Sequence, residues 1–236
     1  MFNLTYLSNM PICLAVTWLI CRVFQNCLTL RPEKWARAAL FLILFVQSSP
    51  IIHPGELTGT LGILFTLAPT ICFLFTDPLP IKTAVTLIVY PLWMSSCYLT
   101  QNAGYVIWLY VFHKEMSVWG ETALSVTFAL LRIPFWILIL HFVRKNLHLS
   151  AIHFSLRIWT VIAVTCLASF LGIVTLIAQV DANQRTFIIW PACVACILTN
   201  MGICYLCAFI SKNVREAMEA DVLRTQQIYY KDIKRE

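Results

Sequence analysis

Charge is what this chain has least of. Of its 236 residues, 17 are Lys or Arg and 11 are Asp or Glu, 12% in all. Soluble domains carry about 25%. The shortfall excludes an ordinary water-soluble fold, as do the 60% apolar content and the mean hydropathy of +0.78. Long polar stretches are also missing from the first 210 residues, so no soluble domain is expected between the apolar segments. Alternation in strands of about ten residues is absent, which excludes a β-barrel. The start lacks a basic region, and Cys21 and Arg22 occupy the place of a small-residue cleavage site, which excludes a cleavable signal peptide. There is no GxSxG, P-loop or HExxH motif. No catalytic residue is therefore assigned, and no cofactor is expected. The net charge of +6 lies mostly in short loops, where membrane orientation accounts for it without a nucleic-acid partner.

What remains is a series of apolar runs of the length that spans a bilayer as helix, about 18 residues or more. The pattern predicts an all-α, polytopic membrane protein. Seven spans are read, at about 5–27, 36–52, 57–76, 83–103, 117–143, 158–180 and 187–210. The fourth is ambiguous, because Tyr105 to Phe112 is apolar too; the span could slide toward 90–112 or leave that stretch flat at the interface. With the N-terminus outside, the inner side receives Arg31, Lys34, Arg37, Lys82, Arg144, Lys145, Arg157, Lys212 and Arg215. The outer side receives Lys114 and Arg185. This bias favours an N-out, C-in topology with an odd number of spans. Membrane lipid is the surrounding partner. The longest polar connection, Arg144 to Arg157, carries His148 and His153 and reads as an inner loop near anionic headgroups. A pH-sensing role is the alternative for these two histidines. Asn3-Leu4-Thr5 matches a glycosylation tripeptide.

Ten cysteines are present. Cys193–Cys196 and Cys204–Cys207 form two CxxC pairs inside one apolar span. Zinc pairs usually sit on turns in polar sequence; here the thiols read as small hydrophobes, and no metal is assigned. Charge at bilayer depth is more telling, because it is costly and usually functional. Arg132 lies near the middle of the fifth span, followed by Pro134, which removes a backbone hydrogen bond and can kink the helix. Its expected partners are a ligand carboxylate or a protein group such as Asn200. Glu121 precedes it by 11 residues, on one face of a continuous helix and about 16 Å away. Gln101 and Asn102 end the fourth span near the same outer side. Arg132, Glu121, Gln101 and Asn102 are the candidate ligand-binding residues, with Trp108 and Trp119 as an aromatic rim or as ordinary interface tryptophans. Pro50, Pro69, Pro91 and Pro191 interrupt or end spans.

The last 26 residues change character. SKNVREAMEADVLRTQQIYYKDIKRE, Ser211 to Glu236, holds 11 of the 28 charged residues and no Gly or Pro. Its Ala, Glu, Arg, Gln and Lys favour helix. Val214, Met218, Val222 and Tyr229, and likewise Leu223, Tyr230 and Ile233, fall at roughly helical spacing. The chain is thus divided into a transmembrane bundle, 1–210, and a cytoplasmic helix, 211–236, of the kind that forms a dimeric coiled coil or an ordinary amphipathic end helix.

A multi-span domain without large loops, followed by LRTQQIYYKDIKRE and with RPEKWARA opening its second span, resembles the peptide-sensing histidine kinases of the accessory-gene-regulator type. The resemblance covers the layout and about 14 tail residues. It implies that the region of Leu223, Gln227, Tyr230 and Ile233 leads toward a dimerisation helix bearing the phospho-accepting histidine and a GHKL-type ATP-binding domain. Neither is present: no phospho-acceptor motif, N-box or glycine-rich lid follows, and none of the five histidines lies in the tail. The expectation is the sensory half of such a kinase, in a bacterial cytoplasmic membrane, binding an extracellular peptide or small hydrophobic signal and acting as a homodimer through the tail. The alternatives are a small transport component, such as the substrate-binding subunit of an importer, and a non-catalytic membrane scaffold.

Overall fold

Apolar side chains surround this backbone with groups that cannot hydrogen-bond, so its amides must satisfy one another, and the helix does this within one segment. The computed structural model describes residues 4–48, 57–112, 117–146, 156–183 and 189–233. Within them it holds α1 (Leu4–Cys27), α2 (Lys34–Ser48), α3 (Leu57–Leu74), α4 (Leu79–Tyr110), α5 (Val118–Leu130), α6 (Arg132–Asn146), α7 (Leu156–Asn183) and α8 (Ile189–Ile233). The expectation of an all-helical membrane-type chain holds. Four stretches are long and apolar enough to cross a membrane: Leu7–Cys27, Leu79–Thr100, Trp119–Lys145 and Trp190–Ile210. Among the described side chains, Leu61–Leu74 in α3 and Thr160–Gly172 in α7 are further, shorter apolar stretches. Among the described residues, length and composition thus give four candidate crossings; the seven read from the sequence include segments that reach beyond those residues. Asn3, Pro50, His113, Lys114, His148, His153 and Arg185 lie outside the described residues.

The fourth apolar region is one helix. It runs through Tyr105 to Tyr110 instead of breaking into a span and a flat interfacial piece. α4 is also the centre of the bundle, packed against α3, α5, α6, α7 and α8. Every residue from Ile88 to Tyr98 is buried. A helix that is apolar on all sides belongs in the middle of a bundle. Tyr90, Leu92, Trp93 and Met94 are almost fully enclosed there. α1 packs on α2, α5 and α6. The outside of the bundle is apolar as well: Phe65, Phe73 and Leu198 are exposed over 73%, 72% and 67% of their surface. In water such a surface would drive aggregation; lipid tails are its natural solvent.

Pro11, Pro69 and Pro91 lie inside α1, α3 and α4, and all three helices continue through them. Proline in an apolar helix is tolerated when neighbours absorb the lost hydrogen bond. Hydroxyls are handled within the helices too. Thr70, Thr83, Thr86, Thr127, Thr165 and Thr199 each donate to the carbonyl four residues back, at 2.7 to 2.9 Å. This back-bonding lets a polar group sit in an apolar helix without an external partner.

One end of the bundle is fastened by two loops. The α1–α2 and α3–α4 connections meet in a short antiparallel bridge, Leu30 to Phe75. The Arg31 amide donates to the Leu74 carbonyl at 3.0 Å, and the Thr76 amide to the Thr29 carbonyl at 3.0 Å. Asp77 accepts from the Thr29 amide at 2.6 Å and from its hydroxyl at 3.2 Å. Lys82 donates to the Cys72 carbonyl at 3.0 Å, neutralising the negative end of α3. Phe24 and Phe75 close the clasp from beneath, with ring centroids 6.5 Å apart. The clasp places the C-terminal ends of α1 and α3 beside the starts of α2 and α4, as antiparallel hairpins require. Asp77→Ala removes a charged acceptor of two hydrogen bonds and is expected to cost about 1–2 kcal/mol. Thermal unfolding in detergent reads this as a lowered melting temperature, whereas Asp77→Asn should retain part of the loss.

Candidate functional site

The segment expected as a single fifth span is two helices. α5 ends at Leu130, and α6 begins at Arg132. The cause lies four residues beyond Leu130: Pro134 has no amide hydrogen, so the Leu130 carbonyl loses its donor. The chain tightens instead, and the Leu131 amide donates to Phe128, three residues back, at 3.2 Å. The interruption falls midway along the apolar stretch Trp119–Lys145. Arg132 is therefore the first residue of a half-helix at membrane depth.

Its guanidinium reaches α4. Arg132 Nε donates to Thr100 Oγ1 at 2.7 Å. The Thr100 hydroxyl in turn donates to the carbonyls of Ser96 and Cys97, at 2.9 and 3.0 Å. The cation is thus tied to the central helix through a hydroxyl. Gln101 and Asn102 follow Thr100 on α4, so their backbone shares the turn that receives Arg132; their side chains lie outside the described residues, as does that of Trp108. Glu121 stands in the first turn of α5, where an acidic side chain suits the positive helix end. Ser117 caps that turn by accepting from the Gly120 amide at 3.3 Å. Leu131, between the two helices, keeps right-handed helical dihedrals, φ −62° and ψ −18°. Trp119, on the same first turn, is 72% exposed, as an interface tryptophan would be. Asn9 adds a second polar tie nearby: its Nδ2 donates to Ser125 Oγ at 3.1 Å, joining α1 to α5.

Asn200 does not meet Arg132. It is completely buried on α8 and serves the α7–α8 contact. Its Nδ2 donates to the Cys196 carbonyl at 2.9 Å and to Ser169 Oγ at 3.2 Å. Ser169 donates to Cys196 Sγ, also at 3.2 Å. Cys193, Cys196, Cys204 and Cys207 are buried with Asn200 along one stripe of α8, as packing residues. All ten cysteines are free thiols. Among the described residues no group of three His, Cys, Asp or Glu side chains is placed to hold a metal ion.

Sequence reasoning overlooked Thr100 and Ser169. Both are lone hydroxyls in apolar helices, a context in which they ordinarily bond their own backbone, so nothing in their spacing marked them as interhelical partners. A cavity of about 20 Å³ lies among Val23, Cys27, Trp136, Ile139, Met201 and Cys204. It has the size of one water molecule and an apolar lining, so it is a dry packing defect and not a ligand pocket.

No family model, no curated protein and no solved structure matches the chain.

Two substitutions separate the two polar ties. Thr100→Val keeps shape but removes the acceptor of the Arg132 guanidinium, and should destabilise by about 1–3 kcal/mol. Asn200→Leu removes an interhelical hydrogen bond in lipid-like surroundings, where such bonds average about 0.6 kcal/mol. Thermal unfolding of the purified variants in detergent is expected to rank Thr100→Val as the more damaging.

Proposed function

We propose that the chain is a membrane receptor module whose output element is α8. One observation carries this reading: α8 is unbroken for 45 residues, from Ile189 in the bundle to Ile233 in the charged tail. Beyond Ile210 the described side chains are exposed, including Val222 and Leu223 at 58% and 59%. Lys212 and Glu216 pair along the surface at 3.7 Å, as on a solvated helix. A helix without a joint transmits rotation and translation from its packed half to its free half, and a hinge at Ser211 would absorb both. In this reading the bundle crosses the membrane seven times with the N-terminus outside. The inner-side surplus of Lys and Arg and the antiparallel hairpins at the clasp support that topology.

The input is an extracellular peptide or small hydrophobic signal in contact with Arg132, Glu121, Gln101 and Asn102. The support for this site is a cation at the start of a discontinuous half-helix, an arrangement that suits an anionic group of a ligand. Ligand binding favours one of two bundle packings, and α8 passes the difference to a cytoplasmic kinase region of the GHKL type. The exposed apolar residues Val222 and Leu223 suit a homodimer of tail helices. The setting is a bacterial cytoplasmic membrane.

The test uses the rod itself. With the chain joined in frame after Glu236 to a histidine-kinase region, one to four alanines are inserted between Ile210 and Ser211. Each insertion rotates the tail by about 100°. Autophosphorylation is expected to rise and fall with the helical period. Activity that ignores the insertions would reject α8 as the output element.

A further inference from the structure

The clasp end of the molecule carries a surplus of cations, and none of them forms an ion pair among the described residues. Arg31, Lys34 and Arg37 are exposed on the α1–α2 loop and the first turn of α2. Lys34 and Arg37 stand three apart on the helix, so they are neighbours. The buried side of α2 is marked by Ala36, Leu40, Leu44 and Gln47, and this pair points away from it. Trp35 lies between them in sequence, 56% exposed. On the adjoining helix α1, Arg22 is exposed and its guanidinium lies 5.2 Å over the ring of Trp18, which is itself 49% exposed.

Three features distinguish this end from a loosely charged loop. Its geometry is fixed, because Arg31 is held through its own amide to Leu74 and Thr29 is held by Asp77. Its two acidic side chains leave a surplus of positive charge: Asp77 is engaged with Thr29, Glu33 is exposed and offsets one of the cations at most, and the ion pair found among the described residues is Lys212–Glu216, far along the chain. Its aromatics are those that settle at the headgroup level of a bilayer. On α1 the exposed stripe Leu14, Trp18, Arg22 passes from apolar to aromatic to cationic, which is the order of tail, interface and headgroup.

We infer that this end is a binding surface for anionic phospholipid headgroups. Lys34, Arg37 and Arg31 meet the phosphate and any further headgroup charge, Trp35 and Trp18 lie along the acyl–headgroup boundary, and Arg22 contributes from α1. The clasp presets the cations, so little ordering is needed when the lipid arrives. The surface makes no use of the Arg132 region and stands whether or not the receptor reading does.

The experiment uses the whole chain in nanodiscs of phosphatidylcholine with a minor fraction of phosphatidylglycerol, followed by native mass spectrometry of retained lipid. Wild type is expected to retain phosphatidylglycerol well above its share in the disc. Arg31→Gln/Lys34→Gln/Arg37→Gln should lose that preference, at about fivefold per removed charge. Arg144→Gln/Lys145→Gln, which removes two exposed basic residues at the end of α6, should keep it. The three sites of the first variant are exposed, so its melting temperature should stay near that of wild type; if it fails to fold, Lys34→Gln/Arg37→Gln is read in the same way. Unchanged preference in the triple variant, or equal loss in the α6 variant, overturns the assignment. Displacement of the retained lipid by excess inorganic phosphate would overturn it too, by making the surface a site for soluble anions.

Discussion

Everything in this bundle follows from one requirement: a backbone amide without water must bond to another backbone amide. The requirement selects helix for nearly every described residue, and it also governs the exceptions. Where proline withdraws a donor, as at Pro134, the chain tightens into a shorter turn and restarts. Most threonine hydroxyls in the apolar helices bond backward to their own carbonyls, as at Thr70, Thr86 and Thr199. Where two loops come together, at Thr29–Arg31 and Leu74–Asp77, they pair as a fragment of ladder. The apolar surface then distributes itself by size and shape. The middle of α4, from Ile88 to Tyr98, goes to the centre, and the other helices pack around it.

Much of the architecture was legible in the sequence because helix existence in long apolar runs depends on composition alone. The limits of α1 and α3 fall close to the runs that predict them. The number of crossings was less legible. α2 is only 15 residues long, so run length alone does not make it a crossing, whereas α7 is a 28-residue helix whose described side chains cover only part of its apolar run. Prolines misled for a related reason. Pro69 and Pro91 read as interruptions, but a helix packed on several sides holds its course through a missing hydrogen bond, and α4 does so at Pro91. Pro134 does coincide with an interruption, in a segment less enclosed by neighbours.

The polar sites were legible by residue type but not by partner. Arg132 and Asn200 announce themselves, since each is expensive at membrane depth. Which groups receive them depends on the rotation of neighbouring helices, and no periodicity in a uniformly apolar sequence fixes that. The structure joins Arg132 to Thr100 across α4 and α6, and Asn200 to Ser169 across α7 and α8. The loops were read only as carriers of charge, and their mutual fastening was invisible, because backbone-to-backbone pairing leaves no mark on side-chain pattern.

The length of α8 has a mechanical consequence. Asn200, where the helix is bonded to α7, stands 33 residues before Ile233, a distance of about 50 Å along a straight helix. A tilt of only about 5° about that point moves the far end sideways by about 4 Å, close to the width of a side chain. A repacking too small to open a cavity in the bundle is thus magnified, at the end of the lever, into a displacement that changes which side chains can meet.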